Sequence, residues 1–70
     1  MIDVIFEFKE LYGFFVETKL KSIPRKGERV CLSDSLLQNQ IEGDFVVLKV
    51  NHIVFDIPEK SYVDILLMKL

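Results

Sequence analysis

No tryptophan occurs in this chain, and cysteine and histidine occur once each. The lone thiol, Cys31, cannot close a disulfide within the chain. It points to a reducing, cytoplasmic setting or to an intermolecular role, and as a free cysteine it is expected to serve as a small apolar residue in a strand. Cys31 and His52 alone cannot build a structural zinc site without carboxylates or a second chain. No apolar run approaches the roughly 20 residues of a membrane span. The opening Met-Ile-Asp-Val has no basic segment ahead of an apolar one, so neither a signal peptide nor a membrane partner is expected. Repeats, low-complexity runs and linkers are missing too, which leaves a single domain over residues 1–70.

Catalytic patterns are equally scarce. There is no Asp-x-Asp, no Glu-x-x-His and no Gly-x-x-x-x-Gly-Lys spacing, so metal and phosphate-loop chemistry lack their ligand sets. Ser33 and Ser35 flank Asp34 without a histidine at motif distance; capping a helix start explains them better. His52 as a general base would need a carboxylate to orient it, from Asp56 or Asp64, and a structural role is the simpler expectation. No enzyme and no cofactor are expected.

What the chain does have is a period of two. Ile2, Val4, Phe6 and Phe8 alternate with Asp3, Glu7 and Lys9; Phe14, Val16, Thr18 and Leu20 alternate with Glu17, Lys19 and Lys21. Successive side chains on a pleated strand point to opposite sides, so this pattern predicts strands with one buried face. Strands are expected over residues 2–9 and 14–22, joined as a hairpin, with Tyr12-Gly13 as turn or bulge because glycine tolerates the positive φ of a kink. Ile23-Pro24-Arg25-Lys26-Gly27 reads as a β-turn. A short strand follows over 28–32, with Val30 and Leu32 inward.

Residues 33–41 break the alternation. Ser33 or Asp34 can cap a helical turn carrying Leu37 and Ile41, with Gly43 closing it. Residues 44–57 form one long stretch that changes face: Val46, Leu48 and Val50 share one parity, Ile53, Phe55 and Ile57 the other. That switch requires an inserted residue, placed near Asn51-His52. Pro58-Glu59-Lys60-Ser61 is a turn, and 62–70 the last strand. The expected architecture is all-β: a small closed barrel of five to six short antiparallel strands with one short helical turn.

The order of elements around Ile23-Pro24-Arg25-Lys26-Gly27-Glu28-Arg29-Val30, with Val50-Asn51-His52 and Val63-Asp64-Ile65 downstream, resembles the SH3-like small β-barrels. The compact size and lack of catalytic chemistry also resemble phage or mobile-element accessory proteins. That resemblance implies a binding role and not a particular activity. No tryptophan is present for a proline-peptide groove.

Charge is unevenly placed. Lys19, Lys21, Arg25, Lys26 and Arg29 supply five of the nine basic residues within one short stretch that holds a single acid, Glu28, while the other ten acids lie elsewhere. Asymmetry of this kind bears on association more than on fold. With Phe15 on the outward parity of Lys19 and Lys21, the stretch is a candidate site for a small phosphorylated ligand or for nucleic acid; a solvated edge is the plainer alternative.

Half of the residues are hydrophobic, more than so small a barrel can hide. On the last strand Val63, Ile65 and Leu67 fill one face, and Tyr62, Leu66, Met68 and Leu70 occupy the other. The expectation is a homo-oligomer, or a protein partner, docking on that second face. Self-association with sequestration of a ligand or partner is the leading functional expectation, and nucleotide or nucleic-acid binding through 19–29 the alternative.

Overall fold

The computed structural model describes residues 1–33 and 43–70. Its strands are β1 (Ile2–Phe8), β2 (Leu11–Leu20), β3 (Arg29–Leu32), β4 (Gly43–Ile53) and β5 (Tyr62–Lys69), with one 3₁₀ turn at Pro58–Lys60 before β5. The expected helical turn falls on residues outside those described.

The five strands form one curled sheet in the order β2-β1-β5-β4-β3. β1–β2, β3–β4 and β4–β5 are antiparallel, but β1 and β5 run parallel at the centre. Two expectations are thereby corrected. The sheet is mixed, because the first and last strands meet directly and in the same direction. It is also a half-barrel and not a closed one: ten-residue β2 and four-residue β3 are its two edges and do not pair.

Alternation decides which face is buried. Val4, Phe6 and Phe8 of β1, Leu32 of β3, Phe45 and Val47 of β4, and Val63, Ile65 and Leu67 of β5 make the core. Phe14, Val16, Leu20, Ile23, Val30 and Val50 pack against it while remaining partly open. Phe8 is the aromatic hub. Its ring meets Phe45 edge-on at 5.4 Å and Phe14 at 5.8 Å, the tilted geometries that ring quadrupoles favour.

Two bulges bend the sheet. In the β1–β2 hairpin, Glu7 lies opposite Phe15 but Phe8 opposite Leu11, so Tyr12, Gly13 and Phe14 are accommodated out of register. Gly13 there takes a φ of +85°, which a side-chain-bearing residue rarely adopts. The tight turn itself is Lys9-Glu10.

The second bulge sits in β4. Val47 opposes Leu67 and Lys49 opposes Leu66, leaving Leu48 as the extra residue. The inserted residue is thus Leu48 and not Asn51-His52. Phe45 and Val47 face the core before it and Val50 after it, so Val46 lies on the outer side, opposite Met68. Phe55 and Ile57 lie past the end of β4 and are exposed. Phe55 is held by its own N–H donating to Ser61 Oγ at 3.0 Å and by a tilted contact with Tyr62.

Candidate anion-binding groove

The turn after β2 is built by local chemistry. Glu28 N–H donates to the Arg25 carbonyl at 3.0 Å, and the Glu28 carboxylate accepts from the Arg25 N–H in return. Gly27, third in the turn, has a φ of +89°, the positive value that position of a tight turn demands. Pro24 stands just ahead, where its fixed φ stiffens the approach. The carboxylate of the only acid in the basic stretch is therefore engaged by the turn's own backbone.

That turn is stitched to β4 beside the Leu48 bulge. Gly27 N–H donates to the Val47 carbonyl at 2.8 Å, and Val47 N–H donates to the Glu28 carbonyl at 2.9 Å. The next residues of β4 then bend past the turn, as a bulged strand does. An open groove of about 670 Å³ results, lined by Ile23, Pro24, Arg25, Lys26, Leu48, Lys49, Val50 and His52. Its volume lies within the roughly 300–1,000 Å³ typical of small-ligand sites.

Electrostatics make the groove one-sided. Arg25 and Lys26 from the turn and Lys49 and His52 from β4 all border the groove, and no carboxylate lies among the described lining residues. Cations lining one groove without a carboxylate favour an anion there by simple attraction of opposite charges. Arginine offers a planar fork for phosphate oxygens and lysine a mobile point charge; Ile23, Pro24 and Val50 supply apolar floor.

The other expected ligand residues are dispersed. Lys19 lies on β2 and pairs with Asp3 at 3.6 Å, both side chains open to water. Lys21 is exposed beyond the end of β2. Arg29 lies on β3, opposite Val46 and thus on the outer face, at the far edge from Lys19. Phe15 is 56% exposed, opposite Glu7 on that same outer face. Only Arg25 and Lys26 of the expected set enter the groove. Lys49 and His52 join them, although nothing near them in the sequence marks them as ligands. His52 shares the inward parity of Val50, whereas Asp64 opposes Asn51 on the outer side, so that carboxylate does not orient the imidazole. Cys31 lies in strand β3, as expected, and its side chain is exposed.

Tyr62, Leu66 and Met68 are half-buried on the outer face of β5, and Leu70 lies beyond the strand end. β5 is central, with both edges taken by β1 and β4. Contact through these residues would therefore be face to face and not by strand addition. An acidic pair sits among them. The Glu7 carboxyl is held above its usual range, first by its hydrogen bond with Asp64, then by burial and by the Asp64 charge. Asp64 Oδ1 is shielded from water without a donor among the described residues, and a protonated Glu7 is the neighbour able to serve it.

No protein family, curated protein or solved structure matches this chain.

Proposed function

We propose that this chain is a non-enzymatic binding module that sequesters a small phosphate-bearing ligand in the groove between the 25–28 turn and β4. The observation that carries this reading is that Arg25, Lys26, Lys49 and His52 line one groove together with apolar residues, with no lining carboxylate among the described residues. A mononucleotide or other compact phosphorylated molecule fits the groove better than a nucleic-acid strand. Non-specific single-strand binders add aromatic platforms for successive bases. The described lining holds no Phe or Tyr, and Phe15 lies on the outer face.

Calorimetric titration of inorganic phosphate, mononucleotides, cyclic nucleotides and single-stranded oligonucleotides at low salt tests the reading. Affinity for the phosphorylated ligand should fall steeply with added salt, because exposed charges are screened over about 10 Å at 0.1 M. Arg25→Glu with Lys26→Glu should abolish binding, as should Lys49→Glu alone. The melting temperature should barely move, since exposed charges contribute little to stability. Lys19→Glu should leave binding intact. Loss of binding in Lys19→Glu with retention in Lys49→Glu would place the site elsewhere and end this assignment.

A further inference from the structure

The two sheet edges are unequal. β3 offers four residues, whereas β2 offers ten and, among the described residues, pairs only with β1. An edge strand of that length presents a row of backbone donors and acceptors to any strand that matches it. Proline is absent from it, and its Gly13 bulge lies near one end. On its inward side Phe14, Val16 and Leu20 remain partly open, as though the half-barrel wall continued.

We infer that β2 pairs antiparallel with β2 of a second copy, about a two-fold axis at Thr18, joining two half-barrels into one continuous sheet. The axis must stand normal to the sheet, so one residue of β2 faces its own counterpart and pairs run symmetrically away from it. The bulge confines the straight section of the strand to its later residues. An axis at Glu17 would oppose two carboxylates, and one at Lys19 two ammonium groups. An axis at Val16 leaves Glu17 facing Phe15 and Lys19 facing Gly13. Thr18 alone places Glu17 opposite the partner's Lys19 and Lys19 opposite the partner's Glu17, with Val16 against the partner's Leu20 on the inner side. Opposite charges directly across a ladder attract, and β-branched residues suit the axis position.

The same three residues border a depression. Asp3, Val4, Ile5, Glu17, Thr18, Lys19 and Tyr62 line a hollow of about 410 Å³ that spans β2, β1 and β5. Lys19 would then stand between its own Asp3 and the partner's Glu17. Edge lysines ordinarily keep strands apart. Here the glutamate two residues earlier turns that deterrent into selectivity for one register and one partner, a second copy of this chain. The interface does not depend on a ligand in the groove, which lies against β4.

Sedimentation at micromolar concentration tests the assembly and cysteine cross-linking tests the register. The intact chain should sediment at twice its 8.2 kDa mass. Glu17→Lys should weaken the dimer by about tenfold or more, because both Glu17–Lys19 pairs become repulsive; adding Lys19→Glu should restore it. With Cys31→Ser as background, Thr18→Cys should form an intermolecular disulfide under mild oxidation, since directly opposed Cα atoms stand about 4.5–5.5 Å apart. Val16→Cys and Leu20→Cys should not. A monomer at every concentration, a dimer indifferent to Glu17→Lys, or preferential cross-linking through Val16→Cys would each overturn the proposal.

Discussion

Replacing Phe45 by alanine should bring this domain close to unfolding, and replacing its neighbour Val46 should not. Phe45 is 2% exposed and packs edge-on against Phe8 at 5.4 Å. Removing a buried phenylalanine ring costs about 3–5 kcal/mol, transfer and cavity terms together, and the aromatic contact places the change in the upper part of that range. A domain of this size is stable by only about 3.5–10 kcal/mol, so most of that margin would go. Val46 lies on the outer face opposite Met68, half-buried, and loses no more than about 1.5 kcal/mol on truncation. Urea denaturation followed by circular dichroism reads both changes. With a slope of about 1 kcal/mol per molar urea, Phe45→Ala should lower the midpoint by about 4–5 M or leave no folded baseline, and Val46→Ala by about 1.5 M or less. The comparison tests the parity of β4 on the N-terminal side of Leu48. Equal losses, or a larger loss for Val46→Ala, would mean that the bulge is misplaced and the core wrongly drawn.

Three further outcomes follow from the same geometry. Glu7→Gln should raise stability at neutral pH by about 0.2–1 kcal/mol, a range kept small by solvent screening. The Glu7 carboxyl titrates above its usual range when folded, so between the ordinary and the raised value the folded chain holds more protons than the unfolded one. Stability must fall as pH rises through that window, and thermal melts across it should show a flatter profile in the variant. Gly27→Ala should cost about 1–2 kcal/mol by denaturant titration. An added Cβ meets nothing within 4 Å, so the penalty arises from the φ of +89° alone. Deleting Leu48 should keep the inward series Phe45, Val47, Val50 and hence a folded chain, while straightening β4 and removing part of the groove. Circular dichroism should remain that of a β-sheet and phosphate-ligand binding should be lost.

Strand identity was readable wherever one face is core and the other water. Val4, Phe6 and Phe8, and then Val63, Ile65 and Leu67, announce their burial by alternation alone, and all six are core. The hairpin and its irregularity at Gly13 were legible for a similar reason, since a glycine amid alternating residues marks a kink. Pairing partners were not legible. Nothing in the pattern of β1 or β5 says that they lie side by side and parallel, because period-two alternation describes faces and not neighbours. The Leu48 bulge was hidden for a subtler reason. Residues 45–48 are apolar without interruption, so either parity could be the inner one, and the register came out one residue away from its true place. The site inherited that ambiguity. Arg25 and Lys26 were visible as turn cations, but Lys49 and His52 border the same groove only because Gly27 and Glu28 bond to Val47 beside the Leu48 bulge.

The claim that the 25–28 turn and the bulged part of β4 together hold a phosphate group is tested most directly by amide shift mapping. An isotope-labelled chain would be titrated with a mononucleotide at low salt. The predicted result is saturable shifts concentrated at Arg25, Lys26, Lys49, Val50 and His52, reversed by added salt, with Phe15, Lys19 and Arg29 unmoved. Shifts centred on Phe15, Lys19 or Arg29, or no saturable shift at any residue of the groove, would contradict it.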